Sequence, residues 1–201
     1  MSRRPTGRPH KGSACMRESI GEPQHSLAAI VRAYQRHCRP RALEELNSFR
    51  CEPTLPAAVQ RAGLAKKPDG RRYDHQRRLS KETLEEACRI LSGEDFRHCR
   101  DFDELHATVE DLLCGVAGVG ELMTYDTALR IGAKLGLYPS RVYLHRGTRD
   151  GAQALGLDWR AHQIEVGELP QELRALEPYE IEDCLCILKR DLERVAAVEH
   201  R

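Results

Sequence analysis

The sequence predicts an all-α, multi-helix globular domain with little or no β-structure. Apolar residues recur at helical spacing in one segment after another, and most of these segments are bounded by capping residues, prolines or glycines. The core must rest on leucine, valine, isoleucine and alanine, because aromatic residues make up only 5% of the 201 residues. Residues 142–145 are β-branched and aromatic enough for one short extended piece.

The composition limits the class of protein. Apolar residues make up 40% and charged residues 31% of a chain whose length fits one ordinary domain, with or without a tail. The chain contains no apolar run of membrane-spanning length and no signal-peptide core, so we expect a cytoplasmic protein with no membrane partner. Its eight cysteines are then expected to be reduced. A net charge of +1 leaves any affinity for nucleic acid to a local patch.

The first part of the chain is interpreted as an arm and three helices. Residues 1–24 carry basic side chains among proline, glycine and serine, which is typical of a flexible basic arm, and a single helical domain is predicted over 25–201. Ser26 is predicted to cap the first helix, and Thr54 a short third helix with Gly63 just after its end. Pro40 separates the first helix from the second.

A polar connector over residues 64–79 follows the third helix. It contains a Pro68-Asp69-Gly70 turn and several arginines, with Tyr73 and His75 interleaved among them. This pattern is compatible with a second phosphate-binding surface, on which the rings would stack against bases, or with an ordinary solvated loop.

The second half continues the helical pattern. Ser80 and Asp101 are predicted to cap two further helices, and Gly136 ends another that begins at Glu121. Thr148 is predicted to cap a short helix, and Pro178 opens the last one. That last helix has one apolar face, made of Ile181, Leu185, Leu188, Leu192 and Val195.

The segment Val116-Ala117-Gly118-Val119-Gly120 is the local signal that most suggests a function. Two glycines around one apolar residue, between helical segments, are typical of a short hairpin between helices. Glycine permits a positive φ and a close backbone approach. The N–H groups at the start of the following helix are unpaired and carry partial positive charge, so they can hold a phosphate.

These residues resemble the helix-hairpin-helix family of DNA-binding motifs, over roughly the 25 residues around 109–136. Val116, Gly118, Val119 and Gly120 match the motif, and Thr124 stands where the family usually has alanine. The resemblance implies backbone contacts that do not depend on base sequence, to DNA rather than RNA. Family members often have a basic residue early in the second helix, where this chain has Glu121.

The first hypothesis is therefore a protein that binds nucleic acid without sequence specificity. Gly118, Val119 and Gly120 would contact the phosphate backbone. The nearby cations expected to supply charge are Arg130, Lys134, Arg141 and Arg146.

A second hypothesis is an enzyme that acts on a nucleic-acid or phosphorylated substrate. Residues 125–137 are similar to a fragment of the helix-hairpin-helix DNA glycosylases. In those enzymes the catalytic aspartate lies well beyond the hairpin, whereas Asp126 falls inside the second hairpin helix, and their catalytic lysine has no counterpart here. Asp126 and His145 remain the candidate acid and base, and a shared cleft between them is the expectation that tests this hypothesis.

A third hypothesis is a protein-interaction module whose hairpin serves only packing. Under this hypothesis the protein would have a protein partner.

No cofactor and no metal site are expected. A zinc site would have to draw on the separate pairs His37–Cys38 and His98–Cys99 with Cys51, and an adjacent histidine and cysteine chelate one ion poorly. The acidic residues of the last helix are explained by the helix dipole.

Overall fold

The computed structural model of the chain describes residues 26–199, and the predicted basic arm over 1–24 lies outside them. Within these residues the all-α prediction is confirmed: nine α-helices accompany a single two-stranded sheet. The helices are α1 Leu27–His37, α2 Arg39–Arg50, α3 Leu55–Gly63, α4 Lys81–Leu91, α5 Phe102–Leu113, α6 Glu121–Leu135, α7 Arg146–Ala154, α8 Pro178–Ile187 and α9 Lys189–Glu199. The strands are β1 Val142–Tyr143 and β2 Gln163–Ile164, and short 3₁₀ turns span Phe96–His98, Val166–Glu168 and Leu173–Ala175.

Helix α6 organises the first of two apolar cores. It packs against α2, α3 and α5, and it contributes Met123, Ala128 and Ile131 to a cluster built from α2 to α6. Gly136 ends the helix as predicted, in the left-handed region at φ +79°. Inside the helix Gly132 lies so close to other groups that a Cβ there would meet Leu105 at 3.3 Å. The hairpin helix is thus held from several sides.

The second core is built from α1, α7, α8 and α9. All five residues of the apolar face predicted for the last helix belong to this core. That face lies on two helices rather than one, because the chain leaves helical geometry at Leu188, between α8 and α9. The break redirects α9 so that Leu192 and Val195 bury against α1 and α7.

Strand β1 lies between the two cores. Its residues pair antiparallel with β2, Val142 with Ile164 and Tyr143 with Gln163. Since successive side chains of a strand point to opposite sides, Tyr143 joins the first core while Val142 and Leu144 join the second. The predicted extended piece therefore brings its last residue, His145, to the boundary between the cores.

Helix α7 begins differently from the expectation. His145, not Thr148, is its N-cap: His145 Nδ1 accepts from the N–H of Gly147 at 3.1 Å. Thr148 occupies the third helical position and closes the capping box, because its Oγ1 accepts from the His145 N–H at 2.7 Å. The imidazole is thereby held in one orientation at the start of the helix.

No helix among the described residues is long and apolar enough to cross a membrane.

Candidate functional site

The connection between α5 and α6 is a tight turn at the predicted position. Val116 N–H donates to Leu113 at 3.0 Å, and Val119 N–H donates to Val116 at 3.1 Å. Gly118 adopts φ +89°, a conformation in which a larger residue is strained. Helix α4 supports the turn, because Thr83 Oγ1 donates to the carbonyl of Ala117 at 3.1 Å.

The start of α6 offers N–H groups without a capping side chain. Gly120 is the N-cap, in extended geometry, and provides no side-chain acceptor. Within the helix, the first N–H group with a backbone acceptor is that of Thr124, which donates to the carbonyl of Gly120 at 3.1 Å. A Cβ built on Gly120 meets no atom within 4 Å, so the backbone is open on that side. The first turn of α6 is therefore accessible to an anion.

An open cleft of about 570 Å³ adjoins this turn; we call it the hairpin cleft. The hairpin forms one wall, through Gly118, Gly120 and Leu122. The start of α7 forms the facing wall, and α8 and α9 contribute one residue each. Beyond the hairpin, the lining consists of His75, Gln76, Leu79, His145, Arg146, Gly147, Asp150, Cys186 and Lys189, together with Glu121 and Met123 of α6.

Most charges at the cleft rim are paired. Glu121 is the acidic residue that departs from the family pattern. The two terminal nitrogens of the Arg149 guanidinium donate to its carboxylate at 2.5 and 2.9 Å. That contact lowers the pKa of the Glu121 carboxyl. Lys189 Nζ contacts Asp150 at 2.5 Å. Arg146 is exposed and makes no ion pair with any described residue.

The predicted nucleic-acid residues therefore separate into two groups. Gly118, Gly120 and Arg146 meet in the hairpin cleft, while Val119 packs partly buried against the first core. The structure does not bring the other three predicted cations to this cleft.

Those three cations have partners inside the fold. Arg130 is 3% exposed and its Nε donates to Glu45 at 2.9 Å. Lys134 Nζ donates to the carbonyls of Arg50 and Glu52, at 3.2 and 2.5 Å. Their helical faces point toward α2, which sequence spacing alone does not reveal.

Arg141 is engaged at the two-stranded sheet. It binds Asp103 at 2.6 Å and Gln163 at 3.0 Å. In the connector over 64–79, Tyr73 is 6% exposed, and Arg71 makes an exposed ion pair with Asp69 at 2.6 Å. His75 alone of the residues highlighted there lines the hairpin cleft.

Asp126 and His145 lie on adjoining cavities. Asp126 accepts from Nε2 of Gln76 and lines a smaller cavity of about 120 Å³ between α2, α6 and α8. His145 lines the hairpin cleft instead. Both cavities are bounded by His75, Leu122 and Cys186, but neither cavity is lined by both candidates, so the expected shared cleft is not found here.

Buried acidic side chains lie beside His145. Its Nε2 contacts the carboxylate of Glu182, and both side chains are less than a tenth exposed. Burial lowers the pKa of His145, but the hydrogen bond and charge of Glu182 outweigh this and raise it overall. Burial raises the pKa of Glu182, against the opposing effect of His145. Since the Gly147 N–H occupies Nδ1, the ring proton lies on Nε2, toward Glu182.

The next residue, Asp183, extends this group. Burial, reinforced by the charge of Glu182, raises the pKa of Asp183 well above its ordinary value. Tyr34 Oη donates to its carboxylate at 3.2 Å. Several carboxyls thus share a region in which His145 pairs with Glu182 and Arg130 pairs with Asp126. Perturbed groups of this kind cluster at functional sites.

Sequence reasoning missed Glu182, Cys186 and Gln76. It explained the acidic residues at the start of the last helix by the helix dipole. That explanation is adequate for Glu180, which closes the capping box of α8. Glu182 and Cys186 are four positions apart on that helix and share a face. That spacing was the available signal, but the histidine that meets it comes from a different part of the chain.

Comparison of the chain with protein-family models, with curated proteins and with solved structures gave no match.

Proposed function

We propose that this protein binds nucleic acid, DNA in preference to RNA, through the phosphate backbone and without reading base sequence. The observation that carries the proposal is the uncapped first turn of α6, which opens at Gly120 into a cleft that also contains Arg146. Backbone N–H groups and a guanidinium both favour a phosphate oxygen. Neither contact distinguishes one base from another.

The electrostatics of the rim support this proposal. Glu121 would repel a phosphate if it were free, but Arg149 holds its carboxylate at 2.5 Å. Asp150 is likewise paired with Lys189. Among the described lysines and arginines that line the cleft, Arg146 is the one without an ion pair. The neutralised rim allows a single phosphate to approach the N-terminus of α6.

The decisive variant is Gly120→Asp. Its φ of −133° suits any residue and its Cβ position is open, so the fold accepts the change. Aspartate is a slightly better N-cap residue than glycine, so it should stabilise the protein by about a few tenths of a kcal/mol. The same carboxylate would occupy the N–H groups and repel phosphate. DNA binding and stability should therefore change in opposite directions.

The measurement is fluorescence anisotropy with labelled duplex DNA, single-stranded DNA and RNA at two salt concentrations. Gly115→Asp is the matched control, because Gly115 is exposed in the same turn, has open space around its Cβ position, and is not the N-cap. Parent and control should bind, more weakly at higher salt, and Gly120→Asp should not. If both variants lose DNA affinity equally, the loss comes from the added negative charge and not from the N–H groups of the hairpin. If the parent does not bind DNA at low salt, the proposal is wrong.

A second candidate function is an enzyme that acts on the bound nucleic acid. It is favoured by one observation: His145, whose pKa is raised by Glu182, lines the same cleft as the hairpin. A histidine beside a bound phosphate is a common general acid or base. The test is incubation of the protein with labelled DNA and RNA. Strand cleavage or base loss that disappears in His145→Gln would support catalysis, and intact substrates would refute it.

A further inference from the structure

Three ligand-type side chains converge on the wall of the hairpin cleft. The candidate ligand atoms of His145, Glu182 and Cys186 all lie within 4.8 Å of one another. This is the one such group of at least three found among the described residues. Glu182 and Cys186 come from one face of α8, and His145 comes from the start of α7. They are therefore assembled by the packing of two helices.

The packing of α7 on α8 leaves space for the sulfur atom. A Cβ on Gly147 would lie 2.8 Å from Cys186 Sγ and 3.2 Å from Cε1 of His145. Glycine at this position therefore allows the thiol and the imidazole to lie side by side. Cys186 also lines both the hairpin cleft and the smaller cavity, so an ion from solvent can reach it.

Acidic side chains outnumber basic ones among the buried groups near these ligands. Asp183 follows Glu182 directly, and Asp126 lies near enough to influence both Glu182 and Cys186. Arg130 does not offset this charge fully, because it is shared between Asp126 and Glu45. A buried region with more carboxyls than cations favours a bound positive ion.

A second, independent observation comes from Gln76. It is 1% exposed, and its Nε2 donates to Asp126. Its Oε1 is buried without a hydrogen-bond partner among the described residues. The side chain lines the hairpin cleft together with His145 and Cys186. A buried amide oxygen without a donor is suited to a water molecule or ion held in that cleft.

We propose that His145, Glu182 and Cys186 bind one thiophilic divalent cation of the zinc type, with a fourth position open to the hairpin cleft. Imidazole, carboxylate and thiolate together select zinc or cobalt rather than magnesium or calcium. In a tetrahedral site with bonds of about 2.0–2.3 Å, ligand atoms lie roughly 3.3–3.8 Å apart. Side-chain rotations would have to bring the three ligand atoms to that spacing from separations of up to 4.8 Å. The proposal replaces the expectation from sequence that the chain has no metal site.

Binding requires proton rearrangement. The Cys186 thiol loses its proton to solvent when sulfur binds the ion. The metal takes the place of the proton on His145 Nε2, and the neutral ring carries its proton on Nδ1 instead. That proton faces the Gly147 N–H, so metal binding breaks the existing 3.1 Å hydrogen bond. The first turn of α7 should therefore respond to the metal.

The test is titration of the purified full-length protein, freed of metal by a chelator, with Co²⁺ alone. A 1:1 complex should show thiolate-to-cobalt charge transfer and the visible bands of tetrahedral cobalt, and Zn²⁺ should displace it. Cys186→Ser should lose the charge-transfer band. Glu182→Gln and His145→Gln should lose the tetrahedral bands. Cys114→Ser, which removes an exposed thiol, is the control and should retain both.

Several outcomes would overturn the proposal: no stoichiometric cobalt binding by the parent, a charge-transfer band that survives in Cys186→Ser, or its loss in Cys114→Ser. A parent protein that binds no cobalt overturns the proposal whether or not the variants fold. The result is separate from DNA binding, because Gly120→Asp alters the phosphate contact and leaves these three ligands in place. Metal binding without DNA binding, or the reverse, would thus separate the two proposals.

Discussion

His145 donates its Nε2 proton to Glu182, a contact that joins the start of α7 to the middle of α8. The two side chains are 4% and 7% exposed. Solvent therefore neither screens the interaction between the two side chains nor replaces it with hydrogen bonds to water. The pair lies at the boundary of the two cores and beside the hairpin cleft, so it links the stability of the fold to the candidate site.

Removal of one member of this pair should destabilise the protein strongly. His145→Leu leaves Glu182 buried beside Asp183 without its donor, which should cost about 3–5 kcal/mol in free energy of unfolding. The double variant His145→Leu with Glu182→Leu should recover part of that loss, because no buried charge remains unpaired. Urea unfolding of the parent, both single variants and the double variant measures the coupling. Additive losses would show that the two side chains act independently.

Arg130 and Arg146 should affect different properties. Arg130→Met removes the partner of Glu45 and Asp126 from a site where the guanidinium is 4% exposed. It should lower stability by about 2–4 kcal/mol without changing the salt dependence of DNA binding in the folded protein. Arg146→Gln should leave stability within about 0.5 kcal/mol and reduce the slope of log K against log salt by about 1.

Thermal unfolding and anisotropy at several salt concentrations measure these two effects. Arg32→Gln, on the exposed surface of α1, is the control for loss of one positive charge. If Arg32→Gln and Arg146→Gln change the slope equally, Arg146 has no special position in the interface.

Gly151→Ala should weaken the contact between α7 and α8. A Cβ at this position would lie 2.8 Å from the carbonyl carbon of Leu185, and backbone cannot rotate away as a side chain can. We expect a loss of about 1–3 kcal/mol, together with weaker cobalt binding, because the same two helices bring the ligands together. Gly167→Ala meets no atom within 4 Å and should be nearly neutral in both measurements. A stable Gly151→Ala protein would mean that α7 lies farther from α8.

His106 should make stability fall in mild acid. Burial lowers its pKa below the usual 6.5, while Glu110 and Asp103 oppose this effect. The unfolded chain therefore binds a proton at a higher pH than the folded protein. Stability from the neutral ring is present above about pH 6.5 and is lost as the pH falls toward the folded pKa.

The measurement is urea unfolding between about pH 7 and about pH 5. His106→Gln should show a shallower loss than the parent, since its amide does not titrate. His37→Gln, in which an exposed imidazole on α1 is replaced, should follow the parent. Parallel curves for parent and His106→Gln would remove His106 from the acid response.

Local patterns were sufficient for the helices and for the turn between α5 and α6. Ser26, Thr54, Ser80 and Asp101 cap helices as predicted, because capping depends on residues within a few positions of one another. Gly118 takes the positive φ that its place in the turn suggested. The same reasoning missed the break at Leu188, since one apolar stripe is compatible with one helix or with two that pack on the same core.

By itself, the sequence determined the fold class, most helix boundaries and the glycine-rich turn, all of which follow from periodicity and short-range hydrogen bonds. Tertiary structure decided which charged groups are available. Arg130 finds Glu45 and His145 finds Glu182, partners 85 and 37 residues away. Helical periodicity states which residues share a face, but not which neighbour that face meets. The pairing of these charges, and with it the composition of the cleft, therefore depends on how the two cores pack.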